Sequence, residues 1–363
     1  MIQFQCDYNE GAHPRILERM IQTNFEQTVG YGEDHYCEAA RGLIRKACGR
    51  DDADVHFLVG GTQANATVIS AALKPYQGVI CAHTGHINVH ETGAIEHGGH
   101  KVLAVPSENG RLSAEGLLRT IELHYEEDGP EHTVQPGMVY ISFSTETGTI
   151  YSLSELKAIK EICSRYSLPL FIDGARLGYG LASEGCDVSL QDIANLADVF
   201  YIGGTKQGAL FGEAVVITNN NLKKDFRYCI KQNGGMLAKG RLLGIQFLTL
   251  FEDGLYFELA SHAVKEALRI RDAFKNKGFA FLAESPSNQQ FPILPNEVMT
   301  KLSKNYLFSI WQKVDDNHTA VRFCTSWATR SASTTYLARH SEFLSLVLLP
   351  LRLQSRLRSN RFQ

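Results

Sequence analysis

Five stretches of this 363-residue sequence end a short apolar run in residues able to do chemistry. Residues 199–202 (Val-Phe-Tyr-Ile) lead into Gly203-Gly204-Thr205-Lys206, and residues 168–172 lead into Asp173-Gly174-Ala175-Arg176. Residues 138–143 are followed by Ser144-Thr145-Glu146, and residues 79–82 by His83-Thr84-Gly85-His86. Residues 55–59 give way to Gly60-Gly61-Thr62-Gln63-Ala64-Asn65, where a helical pattern opens. A lysine amine can form a Schiff base, an acid can hold a pyridine nitrogen protonated, and a glycine-led helix start offers free N–H groups to a phosphate. Pyridoxal phosphate needs all three. Each motif alone is an ordinary turn or loop signal. Their joint placement carries the reading, above all an acid at 173 and a lysine 33 residues later, each ending an apolar run. A dinucleotide site competes for a glycine-rich sheet edge, but residues 173–180 lack the G-x-G-x-x-G that follows an early strand.

The elements that position these groups are legible as a pattern. The apolar runs at 55–59, 79–82, 101–105, 138–143, 168–172, 199–202 and 214–217 are mostly rich in Val, Ile, Phe and Tyr and short enough for buried strands. Helical patterns lie between them, at 64–73 and at 153–166. The second opens on Ser152-Leu153-Ser154-Glu155, a capping box. Strands alternating with helices predict an α/β fold with a mostly parallel central sheet and helices on both faces. Ligands of such sheets bind beyond the carboxyl ends of the strands, where all five motifs fall. After Asn219 the texture changes. Residues 222–280 read as mostly helical, and a smaller α+β part follows, with a strand-like stretch at 320–325. We expect an N-terminal arm and large domain over 1–247 and a small C-terminal domain over 248–363, with an atypical tail from 330.

Composition excludes several classes. Lys and Arg total 36 against 39 Asp and Glu, a net charge of −3, so nucleic acid is not an expected partner. No apolar run approaches 18 residues, so no membrane span is expected. The first residues lack a signal-peptide pattern. Eight scattered Cys without a C-x-x-C pair argue against a zinc site and a disulfide framework, and point to a reducing, cytoplasmic setting. The tail carries Arg339, Arg352, Arg356, Arg358 and Arg361 against Glu342 alone, with Leu recurring through 344–357. It reads as a basic amphipathic helix for a membrane surface or partner, a helix packed on the core, or a tail altered by a change of reading frame.

Asp173-Gly174-Ala175-Arg176-Leu177-Gly178 together with residues 201–209 resembles the low-specificity L-threonine aldolases and related β-eliminating lyases, which are fold-type I pyridoxal-phosphate enzymes. Tyr31-Gly32-Glu33-Asp34, residues 60–65, 85–91, 234–240 and 321–327 extend the likeness over about residues 4–329. The resemblance implies that Lys206 carries the cofactor, that Asp173 pairs with its ring nitrogen, and that Gly61, Thr62 and Gln63 hold its phosphate. His86 would stack on the ring. Arg176 and Arg322 would meet the substrate carboxylate, where a planar guanidinium binds both oxygens. Tyr31 would reach the active site, across a subunit boundary, and Lys239 would serve a neighbour's phosphate. Cys6 stands where the family has Ser beside the substrate carboxylate, and Phe143 where this branch has Gln beside the leaving aldehyde.

The implied reaction is cleavage of L-threonine or L-allo-threonine to glycine and an aldehyde, in a homodimer or homotetramer with its site at a subunit interface. The proton acceptor for the β-hydroxyl is either His86 or a water near Thr145 and Glu146. The other readings are β-elimination or transamination on the same scaffold, and a binding protein that has kept the fold.

Overall fold

A computed structural model describes residues 1–340. Residues 341–363, which hold most of the Leu- and Arg-rich tail, lie outside the described residues.

Among the described residues, thirteen strands form three sheets. The first, β1 (Ile2–Gln3), belongs to the N-terminal arm. The large sheet contains β2 (Asp54–Leu58), β3 (Gln77–Ala82), β4 (Val102–Val105), β5 (Gln135–Ser142), β6 (Leu170–Asp173), β7 (Val199–Gly203) and β8 (Glu213–Ile217). All seven coincide with the expected apolar runs to within a few residues. The small domain holds β9 (Gln289–Gln290), β10 (Ile293–Pro295), β11 (Tyr306–Leu307), β12 (Ser309–Lys313) and β13 (His318–Cys324).

The large sheet has the order β2-β8-β7-β6-β5-β3-β4. Its pairs are parallel from β7 through β4, while β8 runs antiparallel to both β7 and β2. The chain leaves β3 toward β4 on one side and leaves β5 toward β6 on the other. That reversal opens a crevice at the carboxyl ends of the strands. Strands β6, β7 and β8 are buried along their whole length, so their sequences read as continuous apolar runs rather than alternating ones.

Parity along each strand divides the core in two. Val139, Ile141, Phe143, Ile172, Phe200 and Ile202 pack on one face. Met138, Tyr140, Phe171, Val199 and Tyr201 pack on the other. The helix Leu153–Arg165 starts on the anticipated box, with Ser152 accepting from the Glu155 N–H and Glu155 accepting from the Ser152 N–H. The helix Gly61–Ala72 starts differently, on Gly60 with no capping side chain. Its first N–H groups therefore face the crevice without a protein partner.

The small domain packs Phe4, Ile270, Phe274, Tyr306, Phe323 and Leu337 together. The arm joins this core: β1 pairs with β11, and Phe4 is fully buried there. The position 247/248 falls inside the unbroken helix Arg241–Phe251. That helix lies so close to the helix His35–Cys48 that a Cβ on Gly244 would meet the Cys37 N at 2.6 Å. We therefore propose the domain boundary at 252–254, where Asp253 and Gly254 take left-handed conformations. The helix Ser331–His340 docks on the helix Leu255–Lys275 through Ser331 and Thr334, which both donate to buried Glu266. This start of the tail is a helix packed on the core. Cys37, Cys48, Cys81, Cys163 and Cys324 are buried and unpaired; Cys6, Cys186 and Cys229 are half-buried and unpaired.

Candidate active site

The carboxyl-end crevice encloses a cavity of about 270 Å³. Its wall includes Tyr8, Gly60, Gly61, Thr62, His86, Ser142, Ser144, Glu146, Asp173, Arg176, Lys206 and Glu213. All five expected motifs contribute to it.

Asp173 ends β6 and is buried. Its Oδ1 accepts from the Ala175 N–H at 2.9 Å. Its Oδ2 accepts from Tyr140 Oη at 2.5 Å and from Asn65 Nδ2 at 3.2 Å. Burial alone would raise its pKa, but the neighbouring His86 and the hydrogen bonds from Tyr140 and the Ala175 N–H outweigh that, and the carboxyl lies below its ordinary value. It therefore carries a negative charge at neutral pH.

Lys206 follows β7 on a turn, is half-buried and lines the cavity. Burial and the nearby Arg176 charge lower its pKa, with Asp7, Asp173 and Glu213 pulling the other way. A lowered pKa enlarges the neutral, nucleophilic fraction of the amine. Glu213 starts β8, and because β8 is reversed its first residue lies at the same edge. It accepts from Thr205 Oγ1 at 2.9 Å, and burial pushes its carboxyl up to about 8.

His86 sits on the wall with Nδ1 2.7 Å from Glu91 Oε1. Its backbone N–H donates to Glu146 Oε1 at 3.0 Å, and Ser142 Oγ donates to the same oxygen at 2.7 Å. Burial raises the Glu146 pKa.

Arg176 is also on the wall, and Asp7 already occupies two of its nitrogens: Nε at 2.7 Å and Nη2 at 3.0 Å. Asn288 Nδ2 donates to Asp7 Oδ2 at 2.9 Å. The Asp7 carboxyl is fully buried, which would raise its pKa, yet the Arg176 and Lys206 charges hold it down at about 2.

Several expected residues are placed elsewhere. The Gln63 side chain braces loops instead of facing the cavity: it accepts from the Val59 N–H at 3.1 Å and donates to the Asn233 carbonyl at 3.0 Å. Phe143 is fully buried on the far face of the sheet, against Gly180, so it does not border a leaving aldehyde. Strand alternation explains this, because Tyr140 and Ser142 take the site face and Phe143 takes the opposite one. Cys6 bonds Asn9 and is off the wall, while its neighbours in sequence, Asp7 and Tyr8, face the site. Arg322 lies over the Trp311 ring at 5.2 Å and donates to Gln289 Oε1 and the Gln5 carbonyl, away from the cavity wall. Tyr31 borders a separate cavity of about 30 Å³ with Arg227 and Gly240. Thr145 bonds Thr149, and only Glu146 of that pair faces the pocket.

The cavity suits a planar, anionic cofactor. Ser144 Oγ is buried there without a protein partner. A Cβ on Gly61 would come 3.1 Å from Tyr201 Oη, a tight contact that a glycine avoids. An uncapped helix start, a charged acid and a lysine thus meet around one space.

Residues 3–295 match the model of a family described as beta-eliminating lyases. The chain belongs to that family. This beta-eliminating lyase is 32% identical over 348 residues to a low specificity L-threonine aldolase of a Pseudomonas species, covering 93% of this chain and 96% of that protein. It is 30% identical over 349 residues to the low specificity L-threonine aldolase of Pseudomonas aeruginosa, with the same shares covered. Among solved structures, a Leishmania major threonine aldolase superposes with a TM-score of 0.92 and 43% identity, over 95% of this chain and all of that one. A Thermus thermophilus aspartate aminotransferase superposes at 0.70 with 14% identity, over 93% of this chain and 90% of that one, a likeness of fold alone. The lyase is thus of the fold-type I pyridoxal-phosphate architecture, and enzymes of this family and fold use pyridoxal phosphate in general.

Proposed function

We propose that this lyase cleaves L-threonine, L-allo-threonine and similar β-hydroxy-α-amino acids to glycine and an aldehyde, with pyridoxal phosphate as its cofactor. The observation that carries this reading is one cavity bordered by the Lys206 amine, the charged Asp173 and the His86 ring, in a chain whose relatives are threonine aldolases.

When bound, the cofactor supplies a carbonyl for the amino group and a conjugated ring that accepts the electron pair of the broken Cα–Cβ bond. The chain's own residues do the rest. Lys206, whose amine borders the cavity, would hold the cofactor's carbonyl carbon. Asp173, kept ionised by Tyr140 and the Ala175 N–H and also bonded by Asn65, would hold a proton on the ring nitrogen. The N–H groups at Gly61 and Thr62 would receive the phosphate. Arg176, on the wall and braced by Asp7, is assigned to the substrate carboxylate, and Arg322, which stands off that wall in this structure, is assigned to the same carboxylate from the small domain. Fixing the carboxylate would orient the substrate so that Cα–Cβ is the bond presented for cleavage.

His86 takes the β-hydroxyl proton. Glu146 is less suited to hold a water for that task, because its Oε1 already serves Ser142 and the His86 N–H. Tyr31 and Lys239 are exposed and lie off the pocket of their own chain. We assign both to the site of a neighbouring copy, in a homodimer or homotetramer. Free cysteines support a cytoplasmic location. No helix among the described residues is long and apolar enough to cross a membrane.

Product analysis tests the reading. With L-threonine and added cofactor, equal amounts of glycine and acetaldehyde are expected. A keto acid in their place would show elimination or transamination, and no turnover by cofactor-loaded protein would show a binding protein.

A further inference from the structure

Glu91 has no part in the reaction so far, yet it is among the most enclosed charges in the molecule. Its side chain has no exposed surface, while that of His86 is 35% exposed, at the cavity. Glu91 Oε1 lies 2.7 Å from His86 Nδ1 and accepts from Asn65 Nδ2 at 2.7 Å. Asn65 is buried as well, and the same Nδ2 also reaches Asp173 Oδ2 at 3.2 Å. Among the described residues no group bonds His86 Nε2.

A carboxylate behind one imidazole nitrogen does two things. It places the ring proton on the nitrogen it faces, which leaves the other nitrogen a lone pair for the substrate. It also stabilises the imidazolium formed when that lone pair takes a proton. A buried carboxylate does both more strongly than an exposed one, because little solvent screens it.

We propose that Glu91 is a positioning residue that fixes His86 with Nδ1–H pointing inward and Nε2 open to the substrate hydroxyl, while Asn65 ties this pair to Asp173. This rests on His86 being the proton acceptor. The substrate β-hydroxyl proton passes to Nε2 as the Cα–Cβ bond breaks, and the charge gained by the ring is balanced by Glu91. No further reactant is required.

The test uses cofactor-loaded Glu91→Gln, whose amide matches the carboxylate in shape but carries no charge. Threonine cleavage needs the β-hydroxyl proton to leave; exchange of the glycine α-proton in D2O does not. Cleavage kcat should fall at least about ten-fold. Glycine α-proton exchange and the glycine dissociation constant should stay within about two-fold of the parent. Nitrogen NMR of His86 should show the proton on Nδ1 in the parent and a changed signal in the variant. Equal loss in both reactions, or loss in neither, overturns the proposal. Should Glu91→Gln not fold, Glu91→Asp keeps the charge at a longer reach and should show the same split to a smaller degree; an equal effect on both reactions overturns the proposal there too. His86→Phe separates the two layers. Full cleavage by His86→Phe removes the acceptor reading and this proposal with it. Loss in His86→Phe without loss in Glu91→Gln removes the positioning role alone.

Discussion

Asp173 and Arg322 are both charged residues expected to act in one site, and the molecule treats them in opposite ways. Asp173 ends a central strand, is enclosed, and has three donors already aimed at its oxygens. Arg322 sits in a strand of the small sheet with a stacking partner, a side-chain amide and a backbone carbonyl, outside the wall of the cavity. The cofactor half of the site is therefore preorganised by the large sheet. The substrate half is assembled from parts on both domains. Asp7 links the two: it belongs to the arm that packs in the small domain, and it grips Arg176 of the large one.

Variants that separate the two halves sharpen this contrast, and the largest effect belongs to the preorganised half. Lys206→Ala removes the amine on which the chemistry depends. Its kcat for threonine cleavage should fall by at least about ten-thousand-fold, with melting temperature near that of the cofactor-free parent. Retained turnover would contradict the assignment.

Asp7→Asn should act mainly on stability. It leaves Arg176 buried without its counter-charge, a loss of about 3–5 kcal/mol when a buried pair is broken. Urea unfolding at pH 7 reads this directly. The pH dependence has a defined sign. Folding lowers the Asp7 carboxyl from 3.8 to about 2, so its stabilisation is complete above pH 3.8 and is lost as the pH falls through 2. The stability gap between parent and variant should narrow across that window and stay constant above it.

Arg322→Lys should touch substrate and spare cofactor. Replacing a planar two-pronged donor by a point charge should raise KM for threonine by about ten-fold, with the cofactor's dissociation constant unchanged. A matching loss of cofactor affinity would mean that the two halves are one preformed unit. Phe143→Leu is the smallest test. A core substitution of this kind costs about 1 kcal/mol, and the preference between threonine and bulkier β-hydroxy substrates should not move. A changed preference would place the ring beside the leaving aldehyde after all.

The large domain was legible because buried parallel strands write themselves as unbroken apolar runs, each followed by its functional loop. Lys206, Asp173, His86, Gly61 and Thr62 could be found by looking only after those runs. Tyr140 and Phe143 show what a finer reading offers: counting alternate residues along β5 from Ser142 selects Tyr140 and rejects Phe143 without any structure. Glu213 was out of reach, because its place at the site depends on β8 running antiparallel, which no local pattern records. Glu91 and Asn65 lay inside recognisable motifs, but their contact with each other spans 26 residues and that of Asn65 with Asp173 spans 108, so both are tertiary. Gln63 is the reverse case. It stands in the phosphate motif, yet its amide is spent on the Val59 N–H and the Asn233 carbonyl.

The central claim is that Lys206 is the residue joined to the cofactor. The most direct measurement is borohydride reduction of the cofactor-loaded protein, followed by proteolysis and mass spectrometry. The account predicts a pyridoxyl-phosphate mass on Lys206 alone, with loss of the imine absorbance band, and no label when L-threonine or glycine is present in excess at the moment of reduction. A label on another lysine, or no label on protein that holds the cofactor, would contradict it.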